Sequence, residues 1–169
     1  VKNKSLMFDF KLPRGKKYEA HLMIRNPEKW IEKNWKKTNA IIFQIESTKN
    51  PDKVIGLIKS KNRRVGIAIN PQTQINKIKI HLDEIDLILI MTVNPGKYGS
   101  KFIPSVLNKV KQIRKLNPKI DIEVDGGIND KTIKKALSAG ANRFVSGSYI
   151  QNSENPKKTF SKLKRIVKT

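Results

Sequence analysis

The stretch Glu123-Val124-Asp125-Gly126-Gly127-Ile128 decides the reading of this chain. It reads as a short buried strand that ends on a carboxylate and passes at once into two glycines. An α/β fold keeps its chemistry at such strand ends. Glycines there let backbone N–H groups approach a ligand closely, and a phosphate is the usual beneficiary. Further along, Phe144-Val145-Ser146-Gly147-Ser148 is a second strand ending in a small-residue turn. Two such turns, one helix apart, make the phosphate cup of a (β/α) barrel. Either turn alone would be only a turn.

Working outward, the same rhythm fills the chain. Tyr18–Ile24, Ile41–Glu46, Arg64–Ile69, Leu87–Val93, Ile120–Val124 and Arg143–Gly147 are apolar or β-branched runs of strand length. They start roughly 22 to 33 residues apart, the period of one βα unit. Between them lie helix signals. Pro27 opens a stretch with Trp30, Ile31 and Trp35 on one side, and Ile103 to Leu116 has apolar residues at helical spacing. Asn129 is a cap for a helix that runs to Ala139 and ends at Gly140. Pro156 to Lys168 places Phe160, Leu163, Ile166 and Val167 on one face. Six strands alternating with helices predict a parallel sheet covered by helices. The whole of residues 1–169 is expected to form one partial barrel domain, since no linker or low-complexity stretch divides it.

Composition narrows the function classes. No apolar run is long enough to span a membrane and no signal peptide opens the chain. Cysteine is absent, which excludes disulfides and thiol chemistry and accords with a cytoplasmic setting. The formal net charge of +22 invites a nucleic-acid partner. However, the lysines are spread along the chain, and arginine, the favoured reader of bases and phosphates, is scarce. Lys, Ile and Asn are all encoded by A/T-only codons, so a biased composition accounts for the charge. A basic field would still draw in a small anionic substrate.

Three stretches go beyond a generic barrel: His21-Leu22-Met23-Ile24 with Asn26-Pro27-Glu28; Met91-Thr92-Val93-Asn94-Pro95-Gly96 continuing to Gly99 and Lys101-Phe102; and Val124-Asp125-Gly126-Gly127-Ile128 with Gly147-Ser148. In this order and spacing the chain resembles the ribulose-phosphate 3-epimerases, enzymes built on a (β/α)8 TIM barrel of the ribulose-phosphate-binding type. Phe43-Gln44-Ile45-Glu46 and Gly66-Ile67-Ala68-Ile69-Asn70-Pro71 resemble that family's fourth and fifth strands. Val1-Lys2-Asn3 resembles the loop after its second strand. The chain is therefore expected to supply strands three to eight and to lack the first two, the second of which carries a His-x-Asp pair in the family. Asp9 does not replace that pair, because no His stands two residues before it.

The resemblance implies metal-dependent 3-epimerisation of D-ribulose 5-phosphate to D-xylulose 5-phosphate, a pentose-phosphate reaction. A proton leaves and returns at the carbon beside a ketone, which needs an acid and a base on opposite faces. Asp125 matches one family acid/base and metal ligand, and His21 matches a metal-ligating His; the implied cofactor is a divalent ion, Zn, Fe, Co or Mn. Taken as residues alone, Asp125 would equally cap a helix and His21 would be a core histidine. Met23 and Met91 match methionines that line the family pocket, and ordinary barrel packing is the other reading. Gly126, Gly127, Gly147 and Ser148 match its phosphate turns, with Gly96 and Gly99 in the loop after its sixth strand.

That loop departs from the usual Pro-Gly-Phe-Gly-Gly-Gln-Lys-Phe: Lys97 and Tyr98 replace an aromatic and a glycine. Gln44 stands where a His is frequent. Two other functions therefore stay open: the same chemistry on a ketohexose phosphate such as allulose 6-phosphate, and a non-catalytic barrel that binds sugar phosphate. The 169 residues alone, without the opposite-face Asp, are expected to be inactive. A homo-oligomer is compatible with the pattern. His81 matches no family position and is read as a surface residue.

Overall fold

The computed structural model describes residues 12–96 and 100–168. Asp9, Val1 to Asn3, Lys97, Tyr98 and Gly99 lie outside the described residues. Among the rest, six strands form one sheet: β1 (Glu19–Leu22), β2 (Ala40–Gln44), β3 (Arg64–Ile69), β4 (Leu87–Met91), β5 (Asp121–Asp125) and β6 (Arg143–Val145). All neighbours are parallel and follow chain order, β1 to β6. All six expected strands are present, most of them trimmed at one or both ends.

Each connection carries the chain back to the N-terminal end of the next strand. The helices are α1 (Glu28–Asn34), α2 (Pro51–Ser60), α3 (Asn76–Lys79), α4 (Leu107–Leu116), α5 (Thr132–Ala139), α6 (Ser148–Gln151) and α7 (Pro156–Lys168). Local chemistry sets their ends. Pro51 starts α2, and the Asn50 side chain accepts the Lys53 N–H at 3.1 Å. Asn129 Oδ1 accepts the N–H groups of Lys131 and Thr132 at 2.9 and 3.0 Å, so it does the capping work just ahead of α5. Gly140 ends α5 with φ +107°, a conformation that favours glycine.

Strand side chains alternate between two cores. Ile41, Phe43, Val65, Ile67, Ile69, Ile88, Ile90, Ile122 and Val124 point outward into one large cluster with the helices. Ala40, Ile42, Ala68, Leu87, Leu89, Met91 and Val93 form a separate inner cluster. The sheet is therefore buried on both faces over β2 to β4, which explains their unbroken apolar runs. The inner face turns polar at the flanks. Glu19 and His21 come from β1, Asp121, Glu123 and Asp125 from β5, and Arg143 from β6. Arg143 Nη2 reaches Glu19 Oε2 at 2.8 Å, an ion pair between the first and last strands. The sheet thus curls until its two edge strands touch through side chains, the shape of an α/β half-barrel.

Along α7, Leu163 is buried, Ile166 and Val167 pack against the outer core, and Phe160 stays exposed. His81 is not a surface residue. Ile78, His81, Leu82 and Ile85 are all buried, so the polar segment after α3 still carries an inward stripe at helical spacing. Among the described residues, no helix is long and apolar enough to cross a membrane.

Candidate active site

The polar inner residues are stacked in layers. In the lower layer, Arg143 donates to Glu123 Oε2 and to Glu19 Oε2, both at 2.8 Å. Arg64 donates to Asp121 Oδ2 at 2.7 Å. Burial alone would raise the Asp121 carboxyl, but hydrogen bonds from Arg64 and Asn142 and the nearby guanidinium charges hold it below the usual range. Glu123 behaves in the opposite way. Burial pushes its carboxyl up to about 7 against the pull of Arg143, with Glu19 adding to the rise. Its Oε1 accepts no hydrogen bond; a proton on that oxygen would turn it into a donor. Nothing local in the sequence marks this network, because Glu123 stands within a short strand like its neighbours.

One layer up, at the strand ends, His21 Nδ1 lies 3.6 Å from Asp125 Oδ2. The two residues come from β1 and β5, which are not neighbours in the sheet; curling brings them together. Both are partly exposed, 15% and 24% by side chain, so the pair is open to the mouth of the sheet. His21 Nε2 is enclosed and has no hydrogen-bond partner.

Asp125 opens onto a cavity of about 350 Å³ at the strand C-termini. Met91, buried, and Met23, 54% exposed, are on its wall. Gly126, Gly127, Gly147 and Ser148 form another side, and Gly96 with Ser100 a third. Eight of the ten residues singled out in the sequence therefore share one cavity. His21 reaches it through Asp125, and Gly99 lies outside the described residues. Val93, Asn94 and Pro95 also line the wall; they belong to the same loop stretch but drew no attention individually.

The double-glycine turn is held by its carbonyls. Thr92 Oγ1 donates to Gly126 O at 2.6 Å and to Asp125 O at 3.0 Å. Thr132 Oγ1 donates to Gly127 O at 2.8 Å, and Ser146 Oγ to Ile128 O at 2.9 Å. Gly126 and Gly127 have φ of +118° and +64°. A Cβ at Gly126 would lie 2.4 Å from Val93 Cγ2, so this position needs glycine both for its angle and for its space. With its carbonyls tied back, a glycine turn of this kind leaves its N–H groups for a ligand. Such an array suits an oxyanion.

A second cavity adjoins the first across Met23, Pro95 and Gly96. Gln44, Glu46 and Asn70 line it. Gln44 Nε2 donates to Asn70 Oδ1 at 3.0 Å, and Glu46 Oε1 accepts the Asn70 N–H at 3.1 Å and the Thr73 hydroxyl. Lys109 from α4 donates to Pro71 O at 2.6 Å. Burial lowers its ammonium from the usual range, opposed by the charge of Glu46. Gln44 is thus engaged in bracing the loop after β3.

The donor set fits part of a metal site. An imidazole nitrogen and a carboxylate oxygen 3.6 Å apart are close to the roughly 3.4 Å expected for two ligands with bonds of about 2.0–2.2 Å on a tetrahedral ion. Among the described residues, no third His, Asp or Glu joins them. The group of three that the structure does bring together, Asp52, His81 and Glu84, lies elsewhere.

The sequence profile described as the Ribulose-phosphate 3 epimerase family matches residues 12–151. A ribulose-phosphate 3-epimerase of Buchnera aphidicola is 48% identical over 134 residues, 77% of this chain and 59% of the relative. That of Bacillus subtilis is 37% identical, covering 86% and 70%. A cytoplasmic isoform from Oryza sativa is 38% identical, covering 88% and 68%. The chain thus spans 59% to 70% of the length of these curated relatives. Among solved structures, a KGPDC of Streptococcus mutans superposes with a TM-score of 0.73 at 18% identity, covering 98% of this chain and 76% of that one. A 3-hexulose-6-phosphate synthase from Salmonella typhimurium gives 0.71 at 17%, covering 90% and 73%. These TIM-barrel neighbours carry the fold, and the sequence matches carry the lineage: the chain belongs to the ribulose-phosphate 3-epimerase family.

Proposed function

We propose that this chain, one partial barrel domain over residues 1–169, is the greater part of a ribulose-phosphate 3-epimerase, an enzyme that interconverts D-ribulose 5-phosphate and D-xylulose 5-phosphate. The observation that carries the reading is the His21–Asp125 pair at the mouth of a cavity whose other wall is the Gly126–Gly127 turn. That pairing of a carboxylate with a glycine turn suited to an oxyanion supports the reading.

In this reading the phosphate accepts hydrogen bonds from N–H groups around Gly126–Gly127 and Gly147–Ser148. That anchorage holds the sugar so that C3 faces Asp125. The Asp125 carboxylate takes the C3 proton on one face or returns one there, and a second acid on the opposite face completes the exchange. That second group is not among the described residues. Met23 and Met91 crowd water from the reacting carbons without competing for the proton. His21 and Asp125 would hold a divalent ion of the Zn, Fe, Co or Mn type. When bound, such an ion withdraws electron density from a carbonyl oxygen and acidifies the neighbouring C–H. A cytoplasmic location belongs to the same reading, supported by the cysteine-free sequence.

Gln44, in contact with Asn70 and facing the second cavity, is the specific reason to keep a ketohexose phosphate as the alternative substrate. The test compares kcat/KM for D-ribulose 5-phosphate and D-allulose 6-phosphate in the protein that carries this chain. Preference for the pentulose by about tenfold or more, roughly 1.4 kcal/mol in transition-state binding, supports the proposal. Preference for the hexulose transfers the activity to that substrate, and no turnover of either leaves a binding protein.

A further inference from the structure

The chain has two histidines and no cysteine, so its imidazole and thiolate ligands for a transition ion reduce to two imidazoles. His21 lies by Asp125. His81 faces a different pair of carboxylates, on the helical layer of the fold. Asp52 stands in the first turn of α2, and His81 and Glu84 in the turns between α3 and β4. One ligand atom from each of the three lies within 4.8 Å of the others.

The His81 ring is enclosed, with 5% of its side chain exposed, while the Asp52 side chain is 76% exposed and that of Glu84 53%. Its Nδ1 has no hydrogen-bond partner, although Asp52 Oδ1 is only 3.3 Å away. The separation permits a bond and the direction does not supply one. A buried polar atom left without a partner is destabilising. That cost is removed if the ring nitrogen, together with the two carboxylates, meets a cation.

We propose that Asp52, His81 and Glu84 form a binding site for a divalent transition ion of the zinc type, with water completing the coordination. One imidazole and two carboxylates make a borderline donor set that suits zinc; magnesium prefers an octahedron of oxygens. The 3.3 Å between Nδ1 and Oδ1 matches the roughly 3.4 Å edge of a tetrahedral zinc site with bonds of about 2.0–2.2 Å. Exposed carboxylates on flexible stems can close the remaining distance. The frame is already fixed: the Glu84 N–H donates to His81 O at 2.9 Å, and the His81 N–H to Ile78 O at 3.0 Å. Lys59 Nζ lies 3.7 Å from Glu84 Oε2 and is half exposed, so an arriving cation displaces an ammonium that returns easily to water. The ion would tie α2 to the α3–β4 connection and stabilise the fold by mass action.

The test is a ZnCl2 titration of the full chain followed by the 15N–1H signals of its histidine rings, in a His21→Ala background that leaves His81 as the one imidazole. The expected result is a saturable shift of the His81 ring with one ion bound, and no shift with MgCl2. Asp52→Asn and Glu84→Gln alter exposed side chains and leave folding intact. Each should weaken zinc at least roughly tenfold, a loss seen even for outer-shell partners of a metal site. A His81 ring that zinc does not move, or that moves with the same affinity in both carboxylate variants, overturns the site.

Discussion

Replacing Glu123 by Gln should change how stability depends on pH, and the size of the change follows from the lower polar layer. Burial pushes the folded Glu123 carboxyl up to about 7, against 4.5 for an ordinary glutamate. Below pH 4.5 the group is protonated both folded and unfolded, and the folded form has its full advantage. As pH rises beyond 4.5 the unfolded chain releases the proton first, so stability falls until the folded group also titrates near 7. At about 1.4 kcal/mol per pH unit, the loss is on the order of 3 kcal/mol. Gln keeps the shape, accepts from Arg143 and donates toward Glu19, but cannot ionise. Relative to the parent, Glu123→Gln should therefore gain on the order of 3 kcal/mol between pH 4.5 and pH 8, roughly 6–12 °C in Tm for a chain of this size. Urea and thermal unfolding of both proteins across that range measure it. If Arg143 instead kept Glu123 ionised, the stability difference between variant and parent would stay flat from pH 4.5 to pH 8, and the reasoning would fail.

Two further expectations concern the double-glycine turn. Gly126→Ala must hold φ +118° and fit a Cβ 2.4 Å from Val93 Cγ2, which should cost about 2–5 kcal/mol from backbone strain and overpacking together. Adding Val93→Ala should return the packing share, so a double-mutant cycle by denaturant unfolding should show coupling of at least about 1 kcal/mol; strict additivity would count against the contact. Gly127→Val brings a Cβ to 3.0 Å from Phe102 Cβ at φ +64°. By disturbing one or two charge-assisted hydrogen bonds of about 1.5–3 kcal/mol each, it should raise the KM for the sugar phosphate roughly ten- to hundredfold; an unchanged KM would remove the phosphate from that turn.

Much of the architecture was legible because parallel strands buried on both sides must be apolar throughout. Ala40–Gln44 and Leu87–Met91 announce themselves in that way, and Gly140 and Asn129 mark the ends of α5. The cavity was legible for a related reason: Asp125, Gly126 and Gly127 are consecutive, and a strand end fixes where they point. What depends on curling was not legible. Glu19 and Arg143 meet only because the first and last strands approach each other, and no local pattern records that approach. His81 was misplaced because polar neighbours hid a helical stripe of Ile78, His81, Leu82 and Ile85. Gln44 of β2, Glu46 in the turn after it, Asn70 in the loop after β3 and Lys109 of α4 are joined across the fold, and their partners are set by packing rather than by spacing.

In the proposed reaction Asp125 exchanges a proton with C3 of the sugar. The direct measurement is solvent deuterium incorporation at C3 of D-ribulose 5-phosphate in D2O, with epimerisation followed alongside, by the protein that carries this chain and by its Asp125→Asn form at saturating divalent metal. The account predicts exchange in the parent and a fall of roughly 10²–10⁴-fold in the variant, the worth of a positioned acid–base group, which added metal does not restore. Parent-like exchange and epimerisation by the Asp125→Asn protein would contradict it.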